Sequence, residues 1–342
     1  MKVSIARILC VLALILFHTV PIVEAAGLDK PVILRVAAQA PGLSYYGYST
    51  TLAKLLEKHG PPGSKLEVIP RGGSMSNPTT LDQGRCELGF AQVSSAMWAW
   101  NGLPEVYPTY GKHKNIRFLT PGFLTITYTT VLARRDYVEK TGQDTLEKML
   151  AAKDPPRIII KPQGSIVIPV VDGIFRSVGK DMEQFKKAGK IIQVPQSQFG
   201  EMLKDSRADV YIDEVPINHP GVTEILMTND LVWVPFSDRI FKYMEDVMAM
   251  PPQTLREGHY TGVSKEGYVT PGDGQNLLIH KDVPDEVAYL LAKLLCEQRK
   301  IIIEENGALQ GWEPSQNLQS VDLAMPVHPG AARYYKEQGW MK

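Results

Sequence analysis

GGSMSNP, Gly72 to Pro78, returns ninety-one positions later as QGSIVIP, Gln163 to Pro169. The shared pattern is Gly-Ser-x-x-x-Pro. Each copy follows a short apolar run, KLEVIPR before the first and RIIIKP before the second, and each precedes a segment that reads as helix. Glycine lets the chain turn tightly and come close to a ligand, and serine is a good N-cap. Proline four residues past the serine falls in the first helical turn, where its missing N–H costs least. The unpaired amides and dipole of a helix start favour an anion, and a carboxylate suffices. Taken singly, each copy is a helix cap. Two copies at matching places in two halves predict two lobes of related design, with both helix starts facing one solute.

The chain around them alternates β-rich runs with helical ones, as expected of α/β domains with largely parallel sheets. Strands are predicted at 32–38, 66–70, 86–92, 157–161, 190–195, 208–214, 231–236 and 276–281, with one or two long strands in 116–136. Helices are predicted at 45–60, 75–84, 94–102 (Ser94 as N-cap), 144–152, 166–178, 198–207, 219–228, 238–246 and, as one long helix, 285–305. GDG at 272–274 reads as a turn. The two halves echo each other, ELGFAQ ending at Gln92 in one and DVYIDE ending at Glu214 in the other. No low-complexity linker separates them, so the chain is expected to cross directly through strands near 127–134 and 274–281. That division gives lobe 1 as 27–130 plus 275–342 and lobe 2 as 131–274, with a hinge between them.

The chain has 342 residues, 44% of them hydrophobic and 22% charged, ordinary for a two-domain globular protein. Its first 26 residues differ: Lys2 and Arg7 precede the apolar run ILCVLALILF, and Val23 and Ala25 stand at the small-residue positions of a cleavage site. Export to the periplasm with cleavage near Ala25 or Ala26 is expected. The remainder then carries 35 basic and 36 acidic side chains. That balance argues against nucleic acid as a partner. Cys86 and Cys296, 210 positions apart, could form one disulfide in an oxidising compartment; two separately buried thiols is the preferred expectation.

Enzyme signatures are missing. The chain has no phosphate-binding Walker loop, no G-x-S-x-G, no H-E-x-x-H and no G-x-G-x-x-G after a strand. Its seven histidines are scattered without metal-ligand spacing, so no catalytic residue, metal or cofactor is expected. His219 and His328 both precede Pro-Gly, which reads as turn chemistry. The candidate ligand-binding residues are Ser44 and Tyr45 at a strand-to-helix turn, Ser74 and Asn77 in the first Gly-Ser segment, and Gln92 at a strand end, where ligands of α/β sheets tend to lie. The second lobe adds Gly164, Ser165 and Asp213. Asp213 and Glu214 could receive an ammonium or hydroxyl from the ligand, or cap the following helix. Trp98 and Trp100 are weaker aromatic candidates.

The order APGLSYYGYSTTLAKLL, GGSMSNPTTLDQGRCELGFAQVSSAMWAWNG, PQGSIVIP and MPVHPGAARYYKEQGW resembles the TAXI family of substrate-binding proteins from TRAP transporters over nearly the whole chain after residue 26. The resemblance implies a type II periplasmic-binding-protein fold: two α/β lobes joined by a two-strand hinge, closing around a small organic anion. It also implies docking on TRAP membrane subunits, a monomer, and ligands such as glutamate, glutamine or 2-oxoglutarate. Carried over, the pocket positions are Tyr45, Ser74, Asn77, Gln92 and Ser165. Ile166 and Val167 stand where the family usually has small polar residues, and G-L-S-Y-Y replaces the common G-G-T-Y-Y. These departures favour a carboxylate with an apolar part. An ABC importer or a sensor kinase could use the same fold, and an exported hydrolase is the alternative from another class.

Overall fold

The computed structural model describes residues 28–102, 110–318 and 325–342; the expected leader lies outside them. Ten strands form one mixed sheet: β1 (Ile33–Ala37), β2 (Lys65–Ile69), β3 (Leu88–Gln92), β4 (Ile116–Arg134), β5 (Ile158–Ile160), β6 (Ile191–Gln193), β7 (Val210–Pro216), β8 (Leu231–Trp233), β9 (Pro252–Leu255) and β10 (Tyr268–His280). The order is β2-β1-β3-β10-β4-β7-β5-β6, with β8 on β4 and β9 on β10. At one end β1 pairs in parallel with β2 and β3; at the other β5 pairs in parallel with β6 and β7. Parallel neighbours need crossover connections, and helices supply them. The all-buried Ile158–Ile160 and Val210–Pro216 are what a strand covered on both faces requires.

Two strands belong to both ends. β4 faces β10 along 116–128 and then turns its other edge to β7 along 127–133. β10 meets β9 along 268–271, β4 along 272–280 and β3 along 275–279. The fold is therefore two α/β lobes spanned by two neighbouring antiparallel strands. The sequence GDG, expected as a turn, lies inside β10. A Cβ on Gly272 would stand 2.8 Å from the Thr127 carbonyl and 2.6 Å from the Gln253 side chain, so glycine serves close strand approach there rather than chain reversal.

The helices follow apolar spacing. Ser44–His59 buries Tyr45, Tyr48, Ser49, Leu52, Leu55 and Leu56, a stripe at i, i+3, i+4 and i+7. The helix expected at 285–305 is two, Asp285–Glu297 and Arg299–Glu305. The break falls at Gln298; beyond it Arg299 Nε donates to the Trp312 carbonyl at 2.5 Å and Glu305 accepts from Thr51 at 2.7 Å. Ser94 is no cap: its helix, Val93–Asn101, starts one residue earlier, and the Ser94 amide donates to Asp273 Oδ2 at 2.7 Å. Helix Pro329–Glu337 closes the first lobe, with Tyr335 donating to the Leu119 carbonyl. Cys86 and Cys296 are both free thiols. Among the described residues no helix is long and apolar enough to cross a membrane.

Candidate functional site

The two Gly-Ser segments meet. A Cβ on Gly73 would lie 2.6 Å from the carbonyl oxygen of Gly164, and one on Gly164 would lie 3.6 Å from Ser76 Oγ. Such an approach between backbones needs glycine on one side at least. Behind this contact lies a narrow cavity of about 20 Å³, hardly more than one water occupies. Ser44, Tyr45, Ser74, Gln92 and Gln275 line it from the first lobe and Lys161, Ser165, Ile166, Glu214 and His219 from the second. It shares lining residues with two wider clefts. One of about 390 Å³ shares Ser165 and is lined also by Gly164; another of about 540 Å³ shares Leu43 and His219. The lobes are thus drawn close, with their polar walls facing each other.

The serines do not act as simple helix caps. Helix Ser76–Asp82 begins two residues after Ser74 and helix Val167–Ser177 two after Ser165. Ser165 Oγ accepts from the Val167 amide at 3.3 Å. Ser74 instead belongs to a buried chain of hydroxyl and amide groups. It donates to Gln92 Oε1 at 3.1 Å, which leaves Tyr45 as the donor to Ser74 Oγ at 2.8 Å. Gln92 Nε2 donates to Thr127 Oγ1 at 2.6 Å, and Thr127 donates to the Asp273 carbonyl at 2.8 Å. This chain ties the pocket face of the first lobe to the point where β4 and β10 cross. Tyr45 is held over Phe90, ring centroids 5.3 Å apart, and burial pushes its hydroxyl well above the usual tyrosine range.

Asn77 lies behind the cavity wall. Its Nδ2 hydrogen-bonds to the carbonyls of Ala37, Ala38 and Phe90, and its Oδ1 accepts from the Gly73 amide at 3.0 Å. Every polar atom is engaged by backbone, so Asn77 fixes the Gly-Ser loop on β1 and β3. Trp98 is buried in the core, and Trp100 stacks under Lys114 at 3.8 Å; neither lines the cavity.

Asp213 also stands off the cavity. It pairs with Lys161 Nζ at 2.9 Å and accepts from Tyr211 at 3.1 Å and from the Glu214 amide at 2.8 Å. It caps no helix; the following one is capped by His219, whose Nδ1 accepts from the Gly221 amide at 3.2 Å. Strand alternation turns the next residue, Glu214, into the cavity. Thr129 donates to Glu214 Oε1. Burial raises the Asp213 carboxyl despite Lys161, raises Glu214 well above the carboxylate range, and pushes Asp273 up to about 7. Burial and nearby Lys161 push His219 down to about 3, so its ring is neutral.

Lys161, His219 and Gln275 escaped the sequence reading, each with a signal attached. Lys161 directly follows β5, at the carboxyl end of a parallel strand where α/β ligands lie. His219 opens an HPG triplet that returns at 328–330, where His328 caps the next helix in the same way. Gln275 was hidden by the turn-like glycines beside it.

Two comparisons bear on this arrangement. The chain is similar in fold to a binding-protein component of an ABC phosphonate transporter from Pseudomonas aeruginosa, with a TM-score of 0.53, 10% identity and coverage of 91% of this chain and 95% of that one. It is likewise similar to a periplasmic thiamin binding protein, with a TM-score of 0.50, 10% identity and coverage of 92% and 95%. The model of the NMT1-like family matches residues 36–339.

Proposed function

The chain belongs to the NMT1-like family, and from that premise we propose that it is an extracytoplasmic solute-binding protein of an import system. It captures a small solute between its lobes and hands it to membrane subunits without performing chemistry on it. The observation carrying this reading is the contact of Gly73 with Gly164 over a cavity walled by polar side chains of both lobes. A site split between lobes couples occupancy to closure. Tyr45, Ser44, Ser74, Gln92, Ser165 and Lys161 are the proposed solute contacts, while Asn77 and Asp213 hold that wall in place. The lobe limits 27–130 plus 275–342 and 131–274, the monomeric state, and periplasmic export with removal of residues 1–26 belong to the same proposal.

An ABC-type importer is the better-supported setting, because both structural neighbours named above are binding proteins and one is a component of an ABC transporter. The TAXI-type TRAP system is the alternative. A carboxylate on the solute fits the Ser165 hydroxyl and the Lys161 ammonium in the cavity wall. Uptake by cells carrying or lacking the gene tests the setting. Vanadate should abolish gene-dependent uptake and ionophores should leave it largely intact; the reverse pattern restores the TRAP reading. Calorimetry with Tyr45→Phe and Ser165→Ala tests the site, with roughly tenfold weaker binding expected from each lost hydrogen bond.

A further inference from the structure

Two buried oxygens at the narrow cavity have no partner. Among the described residues, Glu214 Oε2 and Gln275 Oε1 meet no hydrogen-bond donor. Both side chains line the cavity, one from each lobe, and their residues are only 7% and 4% exposed. While Glu214 is ionised both atoms are acceptors, so neither satisfies the other. The groups around Glu214 press it towards the acid form. Asp213 on its own strand and Asp273 on β10 are like charges when ionised. Tyr211 and Tyr268 also face it, but their hydroxyls serve Asp213 and the Val234 carbonyl. The cation that faces it, Lys161, is paired with Asp213, and Thr129 serves only Oε1. His219, on the same wall, reaches neither orphaned oxygen. A proton on Glu214 Oε2 answers both deficits at once: it supplies one donor, and Gln275 Oε1 is the acceptor facing the same space.

Resting on the solute-binding reading above, we propose that Glu214 and Gln275 form a proton-dependent clasp between the lobes. The lobes close with Glu214 as the neutral acid, its O–H given across the cavity to Gln275 Oε1. The cavity of about 20 Å³ leaves room for a direct bond or for one bridging water. When the lobes part, Glu214 meets solvent, where a glutamate titrates near about 4.3. The closed protein holds the proton more tightly, in keeping with the raised carboxyl described above. The clasp is therefore complete at and below the open-state value and is lost as pH rises towards the closed-state one. Across the neutral range each capture takes up one proton, and solute affinity falls by up to tenfold per pH unit. The charge of the solute plays no part in this linkage, which belongs to the protein.

The purified full chain is dialysed to equilibrium against a dilution series of yeast-extract filtrate below 1 kDa, at pH 5.5 and at pH 8. Bound small molecules are released by denaturation and measured by mass spectrometry, and circular dichroism checks the fold at each pH. The wild type should need at least tenfold more filtrate for half-saturation at pH 8 than at pH 5.5. Glu214→Gln should bind alike at both, because its amide oxygen still accepts from Thr129 and its N–H₂ donates to Gln275 at every pH. A wild type indifferent to pH overturns the clasp while leaving solute binding standing. So does a slope that persists in Glu214→Gln, which would place the proton on the solute or on Asp273. Nothing bound at either pH overturns the solute-binding reading and the clasp with it. Should Glu214→Gln fail to fold, infrared difference spectra of wild type carrying ¹³C-labelled glutamate residues decide. An isotope-shifted band of a protonated glutamic acid gained on adding filtrate at pH 8 supports the clasp, and its absence overturns it.

Discussion

Lys161 and Asp213 show how costly a polar wall is to maintain. Their ion pair is almost wholly withdrawn from water, and removing one partner strands a buried charge at a cost of about 3–5 kcal/mol. Lys161→Ala should therefore lower the urea midpoint sharply, and the double change Lys161→Met with Asp213→Leu should recover most of that loss in the same titration. Asp273 makes a prediction of opposite character. Burial holds its carboxyl at about 7 in the fold, against about 3.9 when unfolded. The folded state thus binds the proton more tightly, and the resulting stabilisation is complete below pH 4 and lost as pH rises to 7. Between pH 4 and 8, Asp273→Asn should lose less unfolding free energy than the wild type, by on the order of 3–4 kcal/mol. A parallel pair of denaturation curves across that range checks it.

At the scale of elements, the Gly-Ser segments matter most where they touch. Gly73→Ala sets a methyl group 2.6 Å from the Gly164 carbonyl, an overpacking worth about 1–3 kcal/mol that acts only when the lobes are together. Solute affinity should fall about tenfold or more while the solute-free melting temperature barely moves. Equal losses in both would show that the contact persists in the open protein. The repeat was legible because glycine, serine and proline each act locally, through turn, hydroxyl and fixed φ. The parallel strands and amphipathic helices were legible through their apolar periods. The span of β10 was not, since Pro271, Gly272 and Gly274 carry turn chemistry and only strand neighbours distant in sequence overrule it. Glu214 was visible as a carboxylate, yet its choice over Asp213 depends on which strand face meets Lys161, a tertiary fact.

For the whole molecule, closure can be trapped. A Cβ on Gly164 would stand 4.0 Å from Ser76 Cβ, within the range of a disulfide. Ser76→Cys with Gly164→Cys should cross-link under mild oxidation, although a side chain at φ +93° costs about 1–3 kcal/mol. Thiol titration should show two fewer reactive sulfurs, and a solute enclosed beforehand should leave only after reduction. Release at an unchanged rate from the oxidised protein would show that the solute does not sit behind this contact.

The spanning strands β4 and β10 lie side by side, with Thr127 opposite Asp273 and Tyr128 opposite Gly272. Two tethers bonded to one another at the crossing behave like the knuckles of a door hinge: they permit swinging about the line through them and resist twisting or sliding. The pocket then has one axis of travel, and any guest that fits at the end of that arc is gripped in a single orientation.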